Sequence, residues 1–183
     1  MQRRHPIATD RVPCVWLMTD ERMGDDLWRA VRRLPRGSGI VFRHHATPPA
    51  ERRRLFARLR CVAIARELVL VRAGGTVMQG EMGRHGAAKK GAEGGVRRGL
   101  VTAPVHDWRE AKAARRQRVD AAFVSPVFTT RSHPGAGALG VRRATHLARG
   151  LPMVRIALGG MTARRFCTLH GFDGWAAIDA WLA

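Results

Sequence analysis

Residues 120–137 read "DAAFVSPVFTTRSHPGAG". An apolar, strand-like run reaches Pro126 and Phe128, then empties into Thr129, Thr130, Arg131, Ser132 and His133, and then into glycine. That loop suits an anion, and it equally suits an ordinary exposed turn. Working outward decides its setting. Upstream, "GLVTAPVH" (99–106) reads as a strand and "DWREAKAARRQR" (107–118) as a helix with Asp107 as its N-cap. Downstream come the helix "GVRRATHLARG" (140–150), stopped by Gly150, and the strand "PMVRIALGG" (152–160). The helix "TARRFCTLHG" (162–171), capped by Thr162 and stopped by Gly171, leads into the closing segment "GWAAIDAWLA" (174–183). Strand and helix alternate, as in a parallel α/β sheet.

The N-terminal half repeats the pattern. "CVWLMT" (14–19), "GIVFRH" (39–44) and "LVLVRA" (68–73) are strand-like. Between them, "DDLWRAVRRL" (25–34) places Leu27, Val31 and Leu34 on one helical face. "PAERRRLFARLRCVAIAR" (49–66) opens on Pro48 and Pro49 with Glu51 in its first turn. From residue 74 to 99 glycine dilutes the pattern. A short strand near 76–82 and a short helix near 87–97 are expected there, in the least stable quarter of the chain. The weak strand included, there are eight strand-like segments, the count of a (β/α)8 TIM barrel. At 183 residues the barrel must be slightly trimmed, because the fold usually needs at least about 200. An open doubly wound sheet is the alternative; no GxGxxG follows the first strand, which counts against a dinucleotide site.

Residues 13–183 make one domain behind a flexible basic N-terminus, 1–12. The net charge of +19 comes almost wholly from arginine spread over helical segments. We expect weak, salt-sensitive attraction to polyanions but no specific nucleic-acid partner. No apolar run approaches the roughly 20 residues that cross a bilayer, so no membrane association and a cytoplasmic location are expected. Cys14, Cys61 and Cys167 lie far apart among apolar residues and read as buried free thiols. His44 and His45 are adjacent, which is not metal-ligand spacing on a helix, and no metal site is evident. Trp16, Trp175 and Trp181 are assigned to the core.

Active sites of such barrels gather where strands end. Here those ends carry Thr19 and Asp20, Arg43 to His45, Arg72, Ala103 to His106, Ser125 to His133, Gly159 and Gly160, and Asp179. "ALGGMT" lets backbone N–H groups approach a phosphate, or is simply a tight turn.

The ordered set of these segments resembles the thiamine phosphate synthase/TenI family. "VWLMTD" resembles its first strand, "GIVFRHH" its second with the usual arginine, and "TAPVH" its fifth. "DAAFVSPVFTT" is the most specific match, resembling "aDYvgxGPvFpT". "LPMVRIALGGMT" and "GFDGWAAIDA" resemble the last two strands. The family's synthase joins an aminopyrimidine methyl pyrophosphate to a thiazole phosphate, so the resemblance implies small phosphorylated pyrimidine and thiazole substrates, and leaves an oligomer open. It implies Arg43 on the pyrophosphate; Arg72 and His45, which are not the family's residues, are candidates to hold that group with Arg43 without a metal. It puts Thr130 near the thiazole and Gly159 and Gly160 at its phosphate. His106, His45 and His133, with His44, are the candidate acid/bases.

The chain departs from the family pattern in several places. Val41 and His45 flank Arg43 where Gln and Lys are usual, and Arg72-Ala73 stands for an Asn-Asp pair. "MGRHGAAK" replaces "GVHLGQED", and His133 replaces a lysine. The Mg²⁺ expected from the family therefore lacks evident carboxylate ligands. Asp179 stands for a phosphate-binding serine, and its charge repels phosphate. Pro126 occupies the place of the tautomerase histidine of the TenI branch. Three readings follow: a synthase-type transferase first, a TenI-type isomerase next, and a ligand-binding barrel without catalysis third.

Overall fold

Strand pairing in the computed structural model runs β1-β2-β3-β4-β5-β6-β7-β8 and closes on itself. The structure describes residues 12–86, 99–130 and 137–182. The strands are β1 Val15–Met18, β2 Gly39–Phe42, β3 Val69–Ala73, β4 Gly83–His85, β5 Leu100–Val105, β6 Ala121–Val124, β7 Val154–Leu158 and β8 Gly174–Ala177. Every pair is parallel, and β1 closes the ring on β8 with Trp16 opposite Ala176. This is the (β/α)8 TIM barrel, not the open sheet. The helices are α1 Asp26–Arg33, α2 Pro49–Ala65, α3 Trp108–Arg116, α4 Gly140–Arg149 and α5 Ala163–Phe166. The caps expected at Asp107 and Thr162 form: each side chain accepts the backbone N–H three residues on, from Glu110 and Arg165.

The barrel is filled from opposite walls. Trp16 on β1 and Phe123 on β6, strands that are not neighbours, meet edge-on at 5.3 Å and are fully buried. Each contributes roughly 1.5–3 kcal/mol by leaving water. Gly39 makes room for this packing: a Cβ there would lie 2.1 Å from the Trp16 ring. Trp175 is buried too, and half-buried Trp181 stacks on it at 5.1 Å.

Three expectations need correction. The fourth strand is Gly83–His85, not 76–82. Gly74, Gly75 and Gly80 adopt positive φ, which an extended strand cannot accommodate, so residues 74–82 form a helix-free crossover. Arg72 organises that crossover in place of a helix. It grips Glu81 at 2.6 and 3.2 Å and donates to the carbonyls of Gly74 and Gly75 at 2.6 and 3.1 Å. Second, the thiols are free but exposed, because Cys14 precedes β1, Cys61 faces outward on α2 and Cys167 caps α5. Third, the helix expected at 162–171 is only the four residues of α5. The expected helix at 87–97 and most of the N-terminal segment 1–12 lie outside the described residues. No described helix is long and apolar enough to cross a membrane.

Candidate active site at the barrel mouth

A cavity of about 730 Å³ opens where the strands end. Arg43, His45, His106, Thr130, Gly159 and Gly160 all line it. The sequence had not singled out two further members of its wall, His85 and Arg165, and Asp179 stands there as well. His133 lies outside the described residues.

One lip is built by β6 and β7 together. Beyond the cis Ser125–Pro126 peptide bond, Val127 N–H donates to Leu158 O at 2.8 Å and Phe128 N–H to Gly159 O at 3.1 Å. Gly159 and Gly160 have φ of 97° and 59°. A Cβ on Gly159 would come within 2.6 Å of Pro126 Cα, and one on Gly160 within 2.5 Å of Thr129 O. Glycine is therefore required twice over, by conformation and by close approach. Backbone and threonine hydroxyls line the cavity on this side.

The opposite lip follows β2. Arg43 lies 3.7 Å from Asp20, whose main partner is Arg22 at 2.8 Å. Partial burial pushes the Asp20 carboxyl up, but hydrogen bonds from Arg22 and the charges of Arg22 and Arg43 bring it below its usual range. Beneath Arg43, Thr19 Oγ1 accepts the Arg43 N–H at 3.0 Å and lies 2.9 Å from His44 Nδ1. His44 is buried and stacked on Phe42 at 4.7 Å, so it is a structural residue rather than an acid/base at the mouth. Buried Arg52 donates to His44 O at 2.7 Å and Ala73 O at 2.8 Å, tying the ends of β2 and β3 together. His45 is held below its usual pKa by partial burial and the charges of Arg52 and Arg43. Arg72 does not line the cavity; Glu81 and the crossover carbonyls engage it instead.

His85 stands on the inner wall, edge-on to Phe123 at 5.0 Å. Its Nδ1 lies 2.8 Å from Thr102 Oγ1, and that hydroxyl donates to Arg84 O at 3.5 Å. Thr102 thus holds the Nδ1 edge of the ring, and a hydroxyl can either donate to that nitrogen or accept from it. Burial, with the charges of Arg43, His106 and His45, lowers its pKa to about 3. His85 is therefore neutral at pH 7. His106, more exposed, sets Nδ1 against Glu110 Oε2 at 2.7 Å, and the same carboxylate accepts the His106 backbone N–H. A carboxylate that orients an imidazole in this way leaves Nε2 for a ligand.

The donor set does not fit a carboxylate-bound Mg²⁺. Asp20 is held by arginines, Glu21 accepts the Ala46 N–H, Glu81 holds Arg72 and Glu110 holds His106, which leaves Asp179 as the one carboxylate of the described residues that lines the cavity. Among the described residues no three His, Cys, Asp or Glu side chains are grouped to hold a metal. No step below is routed through one.

Fold and cavity together define a (β/α)8 barrel protein with an arginine- and glycine-lined ligand site at the strand ends. The family model described as thiamine monophosphate synthase (TMP-TENI) matches residues 88–181, just over half of the chain. The chain belongs to that family. "Putative thiamine-phosphate synthase 2" of Aquifex aeolicus (strain VF5) is 31% identical over 85 residues, 45% of this chain. The chain spans about half (46%) of the length of that relative. Among solved structures, thiamine phosphate pyrophosphorylase from Pyrococcus furiosus superposes with a TM-score of 0.74 at 18% identity, covering 92% of this chain and 87% of that one. The enzyme of that name from Bacteroides thetaiotaomicron gives 0.53 at 20% identity, covering 92% and 84%. At these identities the two structures speak for the fold.

Proposed function

We propose that the protein is a thiamine phosphate synthase-type transferase, condensing an aminopyrimidine methyl pyrophosphate with a thiazole phosphate at the barrel mouth. The observation that carries this reading is the pairing of Arg43 on one lip with the Gly159-Gly160 turn and Thr130 on the other, within one cavity. In the condensation a C–O bond to pyrophosphate breaks, a C–N bond forms, and negative charge collects on the leaving pyrophosphate. Arg43 supplies positive charge for that group. The glycine turn and Thr130 hold the thiazole phosphate by hydrogen bonds. Asp179 shares the mouth, and its charge opposes an anion there.

The second reading, a TenI-type tautomerase, draws on His45, His85 and His106 around one cavity. A proton shuttle works best with a pKa near the working pH. His85, at about 3, is a weak base and serves better as a hydrogen-bond acceptor. His106 is the better oriented of the three, its Nδ1 set against Glu110 Oε2.

The test is turnover. The purified protein is given the pyrimidine pyrophosphate, the thiazole phosphate and Mg²⁺, and thiamine phosphate is read as its fluorescent oxidation product. Product should form, and Arg43→Ala should lower kcat/KM by about 10² or more. A folded sample that forms none overturns the synthase reading and turns attention to tautomerase activity or ligand binding alone.

A further inference from the structure

We propose that Arg165 is an anion-binding residue of this mouth, receiving the phosphate group that the Gly159-Gly160 turn faces. The inference deepens the reading above and rests on it only for the identity of the ligand.

Arg165 belongs to α5, immediately after the glycine turn. Its backbone N–H donates to Thr162 Oγ1 at 3.2 Å, which fixes where the helix starts. Its guanidinium lies over the Phe128 ring, 4.7 Å from the centroid, and Nη1 donates to Gly160 O. Phe128 is itself bonded to Gly159 O. The arginine is thereby clipped to both halves of the lip, on the wall of the cavity beside Thr129 and Thr130. Its Nε and Nη2 donors have no protein partner among the described residues.

The charges around it give this arrangement meaning. Asp179 also lines the cavity, so the backbone amides of the glycine turn alone would have to outweigh a carboxylate. An arginine beside the turn changes the sign of that balance. A planar guanidinium whose ring contact and one hydrogen bond already set its orientation loses little freedom on meeting a phosphate, and it offers paired N–H donors. Arg164 next to it is exposed, as Arg165 is, but does not line the cavity. The two adjacent arginines are therefore a built-in contrast.

A purely structural role for Arg165, as a clip on Phe128 and Gly160, predicts something different, and the variants separate the two. Arg165→Gln keeps a polar side chain with an N–H donor and removes the charge. Arg165→Lys keeps the charge and removes the fork. Inorganic phosphate is titrated calorimetrically into the full chain at constant ionic strength, and melting is followed without phosphate. Arg165→Gln should bind phosphate about tenfold or more weakly while melting near the wild type, Arg165→Lys should fall between, and Arg164→Ala should bind as the wild type does. The inference fails if Arg165→Gln binds phosphate unchanged, if Arg164→Ala weakens it equally, or if the wild type binds none. Turnover is assayed separately: a wild type that binds phosphate through Arg165 but forms no thiamine phosphate sinks the synthase reading and leaves this one standing.

Discussion

Arg72 and Arg43 end adjacent strands of the same barrel, yet they do opposite things. Arg72 is buried, and its guanidinium is engaged by Glu81 and two carbonyls. Arg43 keeps a loose contact with Asp20 at 3.7 Å and faces the cavity. The same contrast divides buried Arg52, which ties β2 to β3, from Arg165 on the opposite lip. A cation at the barrel mouth stays available to a ligand only where the chain has not taken up all of its donors. Where a crossover has lost its helix, as between β3 and β4, the backbone carbonyls need a donor, and the arginine becomes structural.

The largest effect should come from breaking the structural side of that contrast. Arg72→Ala leaves Glu81 largely buried without its partner and frees the carbonyls of Gly74 and Gly75. We expect a loss of about 3–5 kcal/mol in urea unfolding, against under about 1 kcal/mol for Arg43→Ala. Equal losses for the two variants would abolish the distinction.

The fold was readable because strands and amphipathic helices alternate with different periods, and that signal survives everywhere except 74–99. There glycines at positive φ erase the strand pattern, and β4 was expected too early for the same reason. The early placement hid His85, which became a candidate only once Gly83–His85 was seen to be the strand. The strand-end rule located Arg43, His45, His106, Thr130, Gly159 and Gly160 at the cavity, since it depends only on where strands stop. It failed for Arg72 because a strand-end position does not reveal a salt bridge to Glu81, nine residues on. Glu81 is the first acid after Arg72, within a glycine-rich stretch, and that was the available clue. Arg165 was missed because an arginine on a helix ordinarily reads as part of a solvated face.

His85 gives a pH test of the cavity wall. Its folded pKa, about 3, lies below the 6.5 of an unperturbed histidine. As pH falls from about 6.5 toward 3, the unfolded chain takes up a proton at this site and the folded chain does not. Stability should therefore decline across that window, and His85→Gln should flatten the decline when unfolding is measured at pH 7, 6, 5 and 4. If the variant and the wild type lose stability in parallel, His85 is not held neutral by its surroundings.

Arg118 supplies the smallest effect and a third kind of arginine, one that neither binds nor braces. It is exposed, at φ 49°, just past α3. Val119 N–H reaches back to Ala114 O at 3.3 Å and Arg118 N–H to Arg115 O at 3.1 Å, the Schellman pattern whose left-handed position favours glycine. Glu67 occupies the equivalent place after α2, with φ 57°, but it also pairs with Arg36 at 2.6 Å on the surface. Relief of the left-handed strain, less the added freedom of glycine in the unfolded chain, should make Arg118→Gly more stable by roughly 0.5–1 kcal/mol. Glu67→Gly should gain less, because the exposed ion pair it loses is worth up to about 1 kcal/mol. Thermal unfolding of both variants checks the order. A destabilised Arg118→Gly would mean that this arginine has a structural partner after all, and that burial and open donors do not suffice to sort the arginines of this chain.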